Sequence, residues 1–306
     1  MRRFLIRGLL GVVALLAVLC VLFAYFVYTP EPELPHLSGE LTRATMTFGG
    51  VERAYRTYVP RGLAKGSPLV VVMHGAGENG ARMRVETGYG FDRLADEHGF
   101  AVVYPNAYEG FWNVCTVVGA VHTDDVGFLT AMVDKLAGEI GVDPNRVFAI
   151  GSSRGGFMAF RLALEAPSRF RAVAAVSANV PAPENFTCKP TGPGTSSVLI
   201  LNGTSDPLVP FDGGSVSVYG LFYKLGKVRS ARESAQYFAD LNHLTGPPWR
   251  NQDVEVELVA VPGGGHGIPQ PYRRHPRLLG PSPSEPNGPA VIWDFFHRHD
   301  IPQQAR

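Results

Sequence analysis

Residues 145–160 read Asn145-Arg146-Val147-Phe148-Ala149-Ile150-Gly151-Ser152-Ser153-Arg154-Gly155-Gly156-Phe157-Met158-Ala159-Phe160. The apolar run at 147–150 has the composition of a strand buried on both faces. A Gly-rich corner follows, and then Phe157, Met158, Phe160, Leu162 and Leu164 mark a helix with a buried side. At the corner, Gly151-Ser152-Ser153-Arg154-Gly155 fits G-x-S-x-G, the pattern of a nucleophilic serine on a sharp strand-to-helix turn. Such a turn strains the serine backbone, and the positions two before and two after it must lack side chains for the turn to close. The helix N-terminus that follows aims its dipole and a backbone N–H, that of Arg154, at an oxyanion forming beside Ser153. The same short pattern also fits an ordinary Gly/Ser-rich loop, so the reading depends on partners elsewhere.

Outward from this corner, strands and helices alternate. Residues 44–48 and 52–59 alternate in polarity around Gly49-Gly50, as in a β-hairpin. Buried strands are expected at 68–73, 100–104, 172–176 and 198–201, and an alternating one at 254–261. Helical spacing runs over 91–98, from Asp124 to a stop at Gly141, and over 231–241 and 290–297. This order predicts an α/β fold, a mostly parallel central sheet with helices on both faces. Asp124 and Asp125 open a helix, where carboxylates complement the dipole and cap free N–H groups.

The first residues stand apart. Arg2, Arg3 and Arg7 precede an uncharged, mostly apolar run from Gly8 to Pro30. About 20 such residues span a bilayer. Bulky Phe23, Tyr25, Phe26 and Tyr28 stand where signal cleavage needs small residues, so residues 1–30 read as an uncleaved signal anchor, with secretion after cleavage as the alternative. Leu19 stands where a lipidated Cys20 would need a small neighbour. The arginines then lie in the cytoplasm and the remainder is exported. Residues 31–40 form a Pro-rich stalk, and residues 41–301 one catalytic domain. Two of the three cysteines, Cys115 and Cys188, fall in the exported part, where a bridge can persist; two buried thiols are the other reading. The chain of 306 residues has a net charge of +1 and is 45% hydrophobic, which suits a large core and gives no reason to expect nucleic acid as a partner. No metal-ligand spacing occurs, and neither metal nor cofactor is expected.

The partners of Ser153 are sought in chain order, acid and then histidine. Asp206 follows the 198–201 strand in Asn202-Gly203-Thr204-Ser205-Asp206-Pro207, at a strand's carboxyl end where ligands gather in open sheets. An Asx-turn acid is the alternative reading, and Asp212 is the second candidate. His266 lies among four glycines in Pro262-Gly263-Gly264-Gly265-His266-Gly267, a loop that reads as flexible. His74-Gly75-Ala76-Gly77 follows the 68–73 strand, where this architecture places its second oxyanion donor. The expected hole is the N–H pair of Ala76 and Arg154, with His74 bracing it. Phe111 and Trp112 are candidate pocket walls. The Pro-rich stretch 268–289, with Arg273, Arg274 and Arg277, is long enough to be a lid or substrate loop.

Several motifs together resemble the polyhydroxybutyrate depolymerase and feruloyl esterase family of α/β-hydrolases, which is related to acetyl xylan esterases. They are M-H-G-A-G at 73–77, Y-P-N at 104–106, F-W-N at 111–113, D-D-V-G-F-L at 124–129 and V-D-P-N-R-V-F at 142–148. G-S-S-R-G-G-F-M-A at 151–159, N-G-T-S-D-P-L-V-P-F-D-G-G at 202–214, G-G-G-H at 263–266 and P-R-L-L-G at 276–280 complete the set. The resemblance runs from about Tyr55 to His299 and implies the α/β-hydrolase fold, with Ser153, Asp206 and His266 as triad. It implies a serine esterase acting on short acyl esters, hydroxyalkanoate oligomers, or acetyl and feruloyl esters. An exported serine peptidase and a catalytically silent binding domain are the rival readings. Arg154 departs from the small or amide residue usual after the nucleophile. Gly267-Ile268-Pro269 stands in place of Thr-Trp-Pro, so an aromatic wall is expected to be missing.

Overall fold

The computed structural model describes residues 2–192, 196–218 and 222–300; Ile301, the expected end of the catalytic domain, lies outside the described residues. Helix α1 (Arg2–Phe26) comes first. Its segment Ile6–Phe26 has a mean hydropathy of 2.9 and is unburied, long and apolar enough to cross a membrane. The residues after it have no regular structure until Ser38, whose N–H and hydroxyl both bind Asp96 at 2.7 Å.

The domain then opens with the hairpin β1 (Glu40–Phe48) and β2 (Val51–Val59). In chain order follow β3 (Leu69–Met73), α2 (Gly80–Glu86), α3 (Gly90–His98), β4 (Ala101–Pro105), α4 (Asp125–Ile140), β5 (Val147–Ser152) and α5 (Arg154–Glu165). The rest are β6 (Ala172–Val176), β7 (Ser197–Gly203), β8 (Gly214–Val218), β9 (Phe222–Val228), α6 (Ala231–Leu241), β10 (Trp249–Arg250), β11 (Glu255–Val261) and α7 (Gly288–Arg298). Nine strands form one sheet in the order β1-β2-β4-β3-β5-β6-β7-β11-β10. From β4 to β11 every neighbour is parallel; antiparallel pairs close the two edges.

A parallel sheet needs cover on both faces. Helices α4, α5 and α6 cover one, through residues such as Phe128, Met132, Phe160 and Phe238. Helices α3 and α7 cover the other, where Trp293 stacks on Phe100 and Phe296 on Phe148. The expected helix over 290–297 starts two residues earlier at Gly288, and the first strand begins earlier, at Glu40. The short α2 and the separate hairpin β8–β9 were not anticipated. In the hairpin, Gly-Ser-Val-Ser-Val is too short and too weakly apolar to stand out by pattern. Asp124 caps α4 by accepting from Gly127 N–H, while Asp125 is buried against Arg53 at 2.7 Å, so both serve the scaffold.

Candidate active site

Ser153 sits between β5 and α5 with φ 53° and ψ −120°. A non-glycine residue there is strained by about 1–3 kcal/mol and persists only where its surroundings fix it. The fixing is visible. Its N–H donates to the Val176 carbonyl of β6 at 2.8 Å, and its carbonyl accepts from Gly156 and Phe157. The two motif glycines are required by contact: a Cβ on Gly151 would lie 1.9 Å from the Gly155 carbonyl oxygen, and one on Gly155 would lie 2.4 Å from that of Met73.

His266 and Asp206 meet. His266 Nδ1 is 2.8 Å from Asp206 Oδ2, and both residues are nearly fully buried. Asp206 Oδ1 meanwhile accepts from the Leu208 and Val209 N–H groups at 2.8 and 2.9 Å. Asp206 therefore forms the Asx-turn with one oxygen and meets His266 with the other. Asp212 is exposed and is not the partner. The histidine loop is not the slack segment that its glycines suggest. Its backbone is tied to the Pro-rich stretch by Gly265 N–H to Pro281 and His266 N–H to Leu279, each at 2.7 Å. A Cβ on Gly265 would meet the Leu279 oxygen at 2.4 Å, so close backbone approach is what requires glycine there.

Ser153 and His266 line one cavity of about 330 Å³, together with Gly75 and Ala76. Met83, Phe111, Leu208, Val209, Ile268 and Leu279 make its wall mostly apolar. Ile268 occupies the place where an aromatic residue was expected to be missing, and Leu279 brings the Pro-rich stretch into the wall. Trp112, expected beside Phe111, does not line the cavity. It is wholly buried behind it, its indole N–H donating to the His74 carbonyl at 3.0 Å. Phe111 has extended backbone angles, and neighbours in extended chain point to opposite sides.

Behind the wall, the Arg154 side chain is buried. Its Nε donates to the Trp112 carbonyl at 2.6 Å, another nitrogen donates to the Gly119 carbonyl at 2.9 Å, and its guanidinium lies over Phe111. It braces the 111–119 segment instead of entering the cavity. His74 braces the other side: Nδ1 is 2.7 Å from the Gly75 carbonyl and Nε2 accepts from Ala107 N–H at 2.9 Å. That geometry assigns the proton to Nδ1. Burial lowers the His74 pKa to about 4, so the ring is neutral.

Sequence reading missed three polar groups here. Ser177, itself at φ 51°, accepts Gly267 N–H at 2.9 Å and steadies the residue after the histidine. Glu86 in the cavity wall is ion-paired with Arg82 and Arg273 and lies near His275, which lower its pKa. Glu78 accepts Gly75 N–H at 3.1 Å, and burial, with the nearby Glu86, raises its pKa. None of the three carries a motif; their positions depend on folding. Cys115 and Cys188, which do not line the cavity, are joined as a disulfide with Cα atoms 4.9 Å apart. With Glu165 they form a possible metal-ligating trio among the described residues, but the two sulfurs are bonded to each other and Glu165 accepts from Arg161.

Residues 53–206 match the family described as Esterase PHB depolymerase. The chain belongs to that family of carboxylic ester hydrolases. It is 38% identical over 192 residues to "Putative esterase NocK" of Nocardia uniformis, covering 61% of this chain and 54% of the relative. It is 28% identical over 267 residues to feruloyl esterase B of Piromyces equi, covering 78% of this chain and 43% of that protein. The chain thus spans about half the length of these two curated relatives. Among solved structures, acetyl xylan esterase from Aspergillus awamori superimposes with a TM-score of 0.55 at 18% identity, covering 75% of this chain and 95% of that one. That likeness is one of α/β-hydrolase fold.

Proposed function

We propose that this esterase-family chain is a serine esterase in which Ser153, His266 and Asp206 act as the triad. The observation that carries the reading is the His266–Asp206 contact in the cavity wall that Ser153 shares. Asp206 holds the proton on His266 Nδ1 and leaves Nε2 free to act as base. The Ser153 oxygen attacks the ester carbonyl as Nε2 takes its proton, and the N–H groups of Ala76 and Arg154 hold the oxyanion. The imidazolium then returns the proton to the departing alcohol. Water, activated by the same nitrogen, releases the acid and restores Ser153.

The apolar wall and modest volume suit short acyl chains, hydroxyalkanoate oligomers, or acetyl and feruloyl esters. The first helix serves as a membrane anchor, and the disulfide suits an exported domain. The test is hydrolysis of p-nitrophenyl acetate, butyrate and octanoate, methyl ferulate and 3-hydroxybutyrate oligomers, alongside Ser153→Ala. Turnover is expected to vanish in the variant with its fold intact. Wild-type rates in Ser153→Ala would end the reading.

A further inference from the structure

The cavity holds two carboxylates, and they stand in different electrostatic settings. Glu86 is paired with the cations Arg82 at 2.6 Å and Arg273 at 3.1 Å, and the His275 ring lies 3.8 Å away. Its charge is matched locally. Glu78 has no cation within ion-pair distance among the described residues; its one hydrogen bond is from Gly75 N–H. That bond folds the side chain back toward the nucleophile. The place where a Cβ on Gly75 would stand is 3.3 Å from Glu78 Oε2 and 3.6 Å from Ser153 Cβ. Glu78 is thus an acid without an ion-pair partner among the described residues, lining the same mostly apolar cavity as Ser153.

In its ionised form, which burial and Glu86 disfavour and the Gly75 N–H, Arg82 and His266 favour, Glu78 opposes the negative charge that develops on an attacked carbonyl. A substrate carrying a positive group near its ester offsets that opposition, and one carrying a second negative group adds to it. Like charges brought together in a desolvated site are strongly disfavoured, and opposite ones favoured. We infer that Glu78 is a charge-selecting residue, tuning the cavity toward esters that bear a cationic substituent and against anionic ones. This rests on the esterase reading above and names the substrate class within it. Glu78 is not itself a base or nucleophile in the reaction. It selects through the field it places beside Ser153.

The test compares three p-nitrophenyl esters of similar size, using the full chain in detergent. They are 4-(trimethylammonio)butanoate, its neutral isostere 5,5-dimethylhexanoate, and the hemiester of glutarate. Wild type is expected to prefer the cation over the isostere by about tenfold in kcat/KM and to disfavour the anion by a similar factor. Glu78→Gln keeps the shape and the acceptor for Gly75 N–H, and should bring both ratios near one while leaving the isostere hydrolysed. Glu78→Asp should restore part of the preference. Because each ratio is taken within one variant, a general loss of rate cancels. Ratios near one in wild type, or an unchanged preference in Glu78→Gln, would overturn the inference while leaving the esterase reading standing. Failure to hydrolyse even the neutral isostere would overturn both.

Discussion

Replacing Asp206 by asparagine tests the triad where the geometry makes the sharpest demand. The side chain keeps its shape, and Oδ1 can still accept from Leu208 and Val209. Two things change at His266. The amide now presents N–H to Nδ1, which moves the ring proton to Nε2 and removes the base facing Ser153. The charge that steadies the imidazolium is also lost. A contact of 2.8 Å sets the charge centres about 4 Å apart, which at an effective dielectric near 20 is worth ~4 kcal/mol. That alone is about 10³ in rate, and the wrong tautomer brings the loss toward about 10⁴. The assay is kcat/KM on p-nitrophenyl butyrate from pH 6 to 9, with thermal melting to show that the fold is kept. Asp212→Asn, at an exposed position, serves as the control and should match wild type. A loss below about tenfold in a well-folded Asp206→Asn would refute the assignment.

Other outcomes follow from the scaffold. His74 has a pKa near 4 when folded against an ordinary 6.5, so the unfolded chain binds the proton more tightly. The stability it confers is complete above about pH 6.5 and falls as the pH drops toward 4, by about 3 kcal/mol; urea titrations should show this slope in wild type and not in His74→Gln. Removing the Cys115–Cys188 bridge, which spans 73 residues, should lower stability by about 4 kcal/mol and the melting temperature by about 10 °C. An unchanged melting curve for Cys115→Ala with Cys188→Ala would contradict this. Arg154→Met keeps the backbone N–H but releases Phe111 and the 111–119 segment. KM should rise several-fold with kcat little altered; a collapse of kcat alone would instead place the side chain in the chemistry.

What could be read in advance was whatever repeats a local rule. Ser153, Asp206 and His266 each follow a strand, in the chain order the architecture imposes, and the buried strands announce themselves by continuous apolar runs. What could not be read was whatever depends on a side chain's direction or on distant neighbours. Trp112 and Phe111 are adjacent, and only the backbone angles decide which reaches the cavity. Glu78 precedes the N-cap Asn79 of α2 and looks like an ordinary acid in a turn; its bond back to Gly75 N–H exists only once β3 is in place. Arg154 departs from the small or amide residue that the resemblance leads one to expect, and only the fold shows its guanidinium bonded to carbonyls behind the wall.

The glycines point to a division of labour in the site. At Gly151, Gly155, Gly203 and Gly265 an added Cβ would come within 2.4 Å of a backbone oxygen. In each case the obstructing atom belongs to main chain, which cannot turn aside as a side chain can. The Ser153 turn is thus pressed against itself and β3, and the loop carrying Asp206 against the loop carrying His266, which is pressed in turn against Leu279. Such a frame is what electrostatic catalysis requires, since dipoles set in advance need no reorganisation during reaction. The wall itself, with Ile268, Leu279 and Phe111, comes from the connections that follow β4 and β11. Glu78 lies at the join between the two, bonded to the frame through Gly75 N–H and lining the cavity.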